Sequence, residues 1–251
     1  MEYYIVNAFT SSSFCGNPAG VCVTKKPLPN QLMQKIAYDN RLPETAFLTT
    51  DEFGFDLKWF TPLNEIDLCG HATLAAAYVV MNFLKPALSV VEFQTMSGRI
   101  AVRKNNDRYE LTLPVRTPEK ISLTRDLAEN LNAAPVEIYS GRDLFVILDN
   151  EAAVRSYVPD YDKLARLNKW LGVVITAKGS EVDFVSRYFC PELRDEDPVT
   201  GSSHCSLIPI WSKKLNKSSF IAKQLSPRGG VFCIAGKPGI KYSFPAKLAC
   251  I

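Results

Sequence analysis

The chain has 251 residues, 47% hydrophobic and 22% charged, a soluble globular composition long enough to bury a core in one large domain or two small ones. Lys and Arg total 29 against 26 Asp and Glu, and the basic residues are scattered instead of forming a stripe. That balance argues against nucleic acid as a partner and towards a small molecule.

Seven cysteines, at positions 15, 22, 69, 190, 205, 233 and 250, are odd in number and form no Cys-x-x-Cys pair. They read as thiols of a reducing cytosol instead of a disulfide framework or a structural zinc site. The N-terminus, Met-Glu-Tyr-Tyr-Ile, lacks the basic and apolar regions of a signal peptide. The most apolar stretch, Ala72 to Leu84, is too short to span a bilayer and is interrupted by Asn82. No membrane association and a cytoplasmic location are expected.

In chain order, Tyr3 to Phe9, Ala19 to Thr24, Thr45 to Thr50 and Phe55 to Thr61 alternate as strands do. Pro29 to Asp39 has helical spacing, with Leu32, Met33, Ile36 and Ala37 on one face. A second helix is expected over Gly70 to Leu84, opened by Cys-Gly-His and stopped by Lys85-Pro86. Nearly all its residues are small or apolar, so it has no polar face and needs cover on every side. Strands wrapped around it would supply that cover. Further strands are expected at Ser89 to Thr95, Arg99 to Lys104 and Arg108 to Leu113, then a linker from Pro114 to Glu119. The second half repeats the plan, with helices over Leu123 to Leu131 and Tyr161 to Trp170, a strand over Asp183 to Phe189, and a helix from Gly201 to Lys214.

The two helix openings resemble each other. Laying Gly70 on Gly201 puts Cys69 on Thr200 and His71 on Ser202, with the aspartates Asp67 and Asp197 one residue out of step. The only two histidines, His71 and His204, lie in these segments. A glycine turn entering a helix directs backbone N–H groups outward, which suits a carboxylate or a developing oxyanion. The same glycines could serve only as tight turns.

Glu44, in Arg-Leu-Pro-Glu-Thr-Ala-Phe-Leu, stands at the mouth of an apolar strand. Desolvation raises the pKa of such a carboxyl, which suits a group that both takes and returns a proton. An exposed strand-edge glutamate is the alternative. Asp197 reads as a second acid/base group or as the turn residue before Pro198. Cys69 reads as a thiol activated by a helix N-terminus or as a small core residue. Asn17, in Gly16-Asn-Pro-Ala-Gly, offers an amide to a ligand or serves the turn alone. There is no dinucleotide fingerprint, no Walker loop and no nucleophile elbow, and two histidines so far apart do not suggest a His-rich metal centre.

The segments Asn7-Ala-Phe-Thr, Gly16-Asn-Pro-Ala-Gly, Leu42-Pro-Glu-Thr-Ala-Phe, Trp59-Phe-Thr-Pro and Glu65-Ile-Asp-Leu-Cys-Gly-His-Ala-Thr-Leu-Ala occur in that order. They are followed by Asp183-Phe-Val-Ser-Arg-Tyr-Phe, Glu196-Asp-Pro-Val-Thr-Gly-Ser-Ser-His-Cys and Gln224-Leu-Ser-Pro-Arg-Gly-Gly. The series resembles the phenazine-biosynthesis PhzF-like isomerases over Met1 to about Val231. The resemblance implies an α+β, diaminopimelate epimerase-like fold of two similar halves, 1–113 and 114–251, with the last residues able to pack back on the first half. Each half is a curved, mostly antiparallel sheet wrapped around a central helix, with the active site in the cleft between them. It also implies a homodimer acting without metal or organic cofactor on a small carboxylate-bearing substrate. Glu44 would shuttle the proton, while His71, Asp197 and Ser202 would polarise the substrate or relay protons. Asn17, Ser203 and the backbone at Gly70 and Gly201 would bind it. In the phenazine pathway this chemistry isomerises a dihydro-hydroxyanthranilate.

Three features depart from the pattern. Pro43 precedes Glu44 where Ser is more usual, the stretch before Glu196 is short, and the chain after Gly230 is brief where relatives continue through further strands. The rival reading within the superfamily is a cysteine-based racemase, but its second thiol has no counterpart in Pro198-Val-Thr-Gly-Ser. A metabolite-binding homologue without catalysis is the third reading.

Overall fold

A computed structural model describes residues 1–10, 15–50, 54–113, 115–235 and 240–248. Pro114, the start of the expected linker, and Cys250 lie outside them. The chain divides into two compact units, Met1–Leu113 with Lys241–Ile251, and Pro114–Ile240. Among the described residues no helix is long and apolar enough to cross a membrane.

The first unit runs β1 (Glu2–Ala8), β2 (Asn17–Thr24), α1 (Asn30–Asn40), β3 (Glu44–Thr50), β4 (Phe55–Phe60), β5 (Glu65–Ile66), α2 (Gly70–Val79), β6 (Val90–Thr95), β7 (Gly98–Asn105) and β8 (Arg108–Leu113). β1 pairs antiparallel with β2, β2 parallel with β3, and β3 antiparallel with β4. β4 meets β6 in parallel, and β6, β7 and β8 follow as antiparallel neighbours. α2 packs against β1, β2, β3, β7 and β8. Ala72, Leu74, Ala75, Ala76, Ala77 and Val79 are all fully buried. Their small volume lets the strands close in from every side, and it explains why the helix carries no polar face.

The expected helix over Gly70 to Leu84 changes character part-way. The α-helix stops at Val79, and Val80–Leu84 form one π-helical turn closed by the Lys85 N–H on the Val80 carbonyl at 2.7 Å. The Asn82 side-chain amide donates to the Tyr78 carbonyl at 2.7 Å, the acceptor a regular helix would give the Asn82 backbone. A side chain inserted in the i→i−4 ladder widens the turn.

The second unit runs β9 (Glu119–Ile121), α3 (Arg125–Leu131), β10 (Glu137–Ser140), β11 (Leu144–Ile147), α4 (Glu151–Ser156), α5 (Tyr161–Leu164), β12 (Val173–Lys178), β13 (Phe184–Cys190), β14 (Asp195–Asp197), α6 (His204–Leu215), β15 (Ser219–Gln224) and β16 (Gly230–Ala235). β10 pairs antiparallel with β11, β11 parallel with β12, β12 antiparallel with β13, β13 parallel with β15, and β15 antiparallel with β16. This sequence of pairings repeats that of β1, β2, β3, β4, β6 and β7, and the short β14 sits on β13 as β5 sits on β4. The chain is an internal duplication.

Leu131, Leu144, Val146, Val154, Leu164, Val173, Ile175 and Phe189 form a core under α3, α4 and α5. The α6 side is packed by Phe184, stacked on Trp211 with centroids 5.6 Å apart, and the Trp211 indole N–H donates to the Thr176 hydroxyl at 3.1 Å.

Three sequence expectations change here. The helix expected over Tyr161 to Trp170 ends at Leu164, after which Arg166 and Leu167 donate to the carbonyls of Lys163 and Leu164 in tight turns. The Trp170 indole is drawn off to the Ser140 hydroxyl at 3.0 Å. α4 was not foreseen, because six residues hold too few turns for a periodic signal. α6 starts at His204 and not at Gly201. Residues 201–203 form a preceding turn, closed by the N–H groups of His204, Cys205 and Ser206 on the carbonyls of Gly201, Ser202 and Ser203.

The last strand, β17 (Ile240–Leu248), returns to the first unit. It pairs antiparallel with β1, from Val6 opposite Leu248 to Ala8 opposite Ala246, and also meets β8. The strands around α2 therefore close as a ring in the order β1, β2, β3, β4, β6, β7, β8, β17. The brief stretch from Gly230 onward thus still supplies two strands, β16 and β17. Cys15, Cys22, Cys69, Cys190 and Cys205 are all thiols.

Burial pushes the His204 imidazole down from the ordinary 6.5 to about 4, against the opposing effect of the Thr200 carbonyl on Nδ1 at 2.9 Å. A histidine held neutral when folded takes up a proton more readily when unfolded, so stability is full above pH 6.5 and falls as pH drops towards 4. The loss is about 3 kcal/mol. Denaturant titrations of the wild type and His204→Gln at pH 7 and pH 4 should show a drop smaller by about that amount in the variant. Carboxylates such as Glu137 and Glu151, held at about 2, act at lower pH and are common to both proteins.

Candidate active site

Glu44 is the first residue of β3, held beside Ala19 of β2 by the parallel register. Cys69 caps the N-terminus of α2 in extended conformation, and its carbonyl accepts both the N–H and the hydroxyl of Thr73, at 3.1 and 2.5 Å. These bonds fix the entry of the helix and bring its first turn against the start of β3. The Cys69 sulfur lies 3.4 Å from Nδ1 of His71. On the other side of the ring, Nε2 lies 3.1 Å from Oε2 of Glu44. That contact is close but out of line for a hydrogen bond, and among the described residues neither atom has another hydrogen-bond partner. Cys69 and His71 are buried, whereas the Glu44 side chain keeps 20% of its exposure. The carboxyl is sheltered without being sealed.

Burial opposes a charge on His71, but Cys69 and Glu44 outweigh it, and the imidazole pKa lies well above that of an ordinary histidine. Burial also pushes the Cys69 thiol up. A thiol so raised stays protonated near neutrality, so the Glu44 carboxylate is the charge that holds the proton on His71. Phe9 stands over this ring with centroids 6.5 Å apart. Its φ of 65° is costly for an aromatic residue and marks local strain beside the cluster. Asn17 opens β2 opposite Ala8 and is fully buried.

In the second unit Asp197 ends β14, and its carboxylate accepts the Thr200 hydroxyl. Gln224, fully buried on β15, accepts the Thr200 N–H at 2.8 Å and donates to the Asp197 carbonyl at 2.8 Å. Ser203 is buried and donates to the Thr200 carbonyl at 2.9 Å, so its hydroxyl serves the turn. Ser202 is half-buried in the same turn. The Ser226 hydroxyl donates to the Pro198 carbonyl at 2.5 Å. Gln224 and Ser226 stand in the motif Gln224-Leu-Ser-Pro-Arg-Gly-Gly, yet nothing in spacing alone tells that they brace the Asp197 turn.

Strand register aligns the two units independently of sequence. Trp59 of β4 faces Ile66, and Tyr188 of β13 faces Asp197. Counting four residues on from Ile66 and from Asp197 reaches Gly70 and Gly201. Cys69 and Thr200 are therefore structural counterparts, and the thiol has no twin.

Residues 6–234 match the PhzC-PhzF family, described as phenazine biosynthesis-like protein. The chain belongs to this family. A PhzC/PhzF phenazine biosynthesis protein from Clostridium difficile is similar in structure, with a TM-score of 0.95 at 50% identity, covering 99% of this chain and 96% of that one. An "uncharacterized isomerase" from Pseudomonas aeruginosa is 45% identical over 232 residues, 92% of this chain and 88% of its own. A probable proline racemase from Agrobacterium radiobacter shares the fold alone, with a TM-score of 0.66 at 12% identity over 99% of this chain and 92% of that one. The PhzF family membership and these neighbours establish the epimerase-like α+β fold.

Within this PhzF fold the Gln224 amide satisfies one buried donor and one buried acceptor. Gln224→Leu should lower the unfolding free energy by about 2–6 kcal/mol, since each of the two orphaned groups costs about 1–3. Equilibrium denaturation checks this; a loss below about 1 kcal/mol would show that the turn is braced elsewhere.

Proposed function

We propose that the chain is an isomerase that moves a proton between carbons of a small carboxylate-bearing metabolite, with Glu44 as the carrier and without metal or organic cofactor. The observation that carries this reading is the Glu44 carboxyl, partly sheltered and 3.1 Å from His71 Nε2. The carboxylate takes a proton from carbon, the electron pair moves into the adjacent unsaturation, and the same carboxyl returns the proton at another carbon. Atoms and electrons balance, and no redox partner is needed. His71, carrying its own proton, steadies the carboxyl between the two transfers. Asp197 and Ser202 bind and polarise the substrate, Asn17 contributes to its binding, Ser203 supports it indirectly by holding the turn through the Thr200 carbonyl, and the N–H groups at the Gly70 and Gly201 turns favour its carboxylate. The relatives named isomerases and the family resemblance support this assignment, and the resemblance implies a homodimer in the cytoplasm. A two-thiol racemase is not supported, because Thr200 occupies the position matching Cys69.

Incubation of the purified protein with cyclic and amino-acid carboxylates in deuterated water should label substrate carbon. Glu44→Gln should cut the labelling rate by about 10²-fold or more, the usual contribution of a positioned acid/base group. Labelling that survives Glu44→Gln but is lost in Cys69→Ala would replace the carboxylate mechanism with a thiol one. Tight binding of a candidate with no labelling would leave a binding protein.

A further inference from the structure

The same corner of the first unit has a donor set that proton transfer does not need. One oxygen of Glu44, the Cys69 sulfur and one ring nitrogen of His71 all lie within 4.8 Å of one another. Oε2 of Glu44 and Nε2 of His71 are buried and have no hydrogen-bond partner among the described residues, and the His71 residue is only 7% exposed. The proposed transfer by Glu44 does not use the Cys69 thiol, and the counterpart position in the second unit is Thr200. We propose that Glu44, Cys69 and His71 form a site for a thiophilic divalent cation of the Zn²⁺ type, and that the bound ion halts proton transfer by engaging Glu44. The inhibitory half rests on the reading of Glu44 as proton carrier, whereas the binding half does not.

The geometry needs little adjustment. In a tetrahedral zinc site with bonds of about 2.0–2.3 Å, neighbouring donor atoms stand roughly 3.3–3.7 Å apart. The Sγ–Nδ1 separation of 3.4 Å already meets that spacing. One ion takes one ring nitrogen, and Glu44 faces the other nitrogen, so its side chain must swing by roughly an ångström or two to complete the set. Its torsions and partial exposure permit this, while Cys69 stays pinned through the two Thr73 bonds to its carbonyl. A fourth position is left for water or a ligand carboxylate. Charge also balances: thiolate, carboxylate and neutral imidazole around a 2+ ion sum to zero, the arrangement a buried site tolerates best. The sulfur and imidazole donors select Zn²⁺, Co²⁺ or Cu²⁺ over Mg²⁺ and Ca²⁺. Two histidines far apart in sequence argue against a His-rich centre, but a mixed Glu/Cys/His set needs only one.

The test titrates the metal-stripped full chain with Co²⁺ and reads the thiolate-to-cobalt charge-transfer absorption, which needs no substrate. The wild type should give this band with one equivalent, and Zn²⁺ should displace it. Cys69→Ser should abolish the band, and His71→Asn and Glu44→Gln should each weaken Co²⁺ binding by about tenfold or more. No band in the wild type, or an undiminished band in Cys69→Ser, overturns the site, the latter assigning it to another thiol. If the variants do not fold, a Zn²⁺-soaked crystal decides, since anomalous density anywhere but between these three residues refutes the placement. With a labelling substrate in hand, one equivalent of Zn²⁺ should stop exchange; full exchange in the Zn²⁺-loaded protein overturns the inhibitory half. Failure to find any exchanging substrate defeats the isomerase reading and leaves the cobalt result standing.

Discussion

Enclosure of α2 is the constraint on which the first unit depends. A helix ringed by strands can present no polar side chain laterally, so its composition is forced towards alanine and other small apolar residues. Polar chemistry can appear only at its ends. The N-terminal end is where Cys69, Gly70 and His71 stand, and the parallel pairing of β2 with β3 delivers Glu44 to the same place. The cluster follows from the closure of the ring.

Duplication supplied two such helix openings, and they have diverged in chemistry. The first carries a thiol and an imidazole beside a carboxylate. The second carries Thr200, Gly201 and Ser202 behind Asp197, braced by the buried amide of Gln224. Thr45 faces Phe60 as Val173 faces Phe189, so the position matching Glu44 is Gly172, which has no side chain to carry a proton. A symmetrical two-base reaction needs like groups at the two openings, and these two openings carry unlike ones. The asymmetry favours a single carrier that both removes and returns the proton.

The two histidines show how context divides one residue type. His204 is fully buried with a carbonyl as its nearest polar neighbour, and burial alone decides its state, which is neutral. His71 is almost as buried, but a carboxylate at 3.1 Å reverses the outcome. The first acts as a core residue held at the Thr200 carbonyl, the second as an ionisable member of a cluster. A composition count treats them as equivalent.

The sequence by itself determined the periodic elements, the wrapped helix, the repeated glycine turns and the family, because these depend on local spacing and on residue types in order. Glu44, His71 and Asp197 were legible as candidates through the motifs that hold them. The π-helical turn was not, since it depends on Asn82 meeting Tyr78 and Tyr109, and the short α4 gave no periodic signal. The curtailed α5 depended on the Trp170 indole meeting Ser140. Only the tertiary structure decided that β17 closes the ring, that Thr200 is the counterpart of Cys69, and that the thiol, the imidazole and the carboxylate converge. Strand pairing joins residues distant along the chain, and burial then sets their protonation. Neither is encoded in the spacing of neighbours.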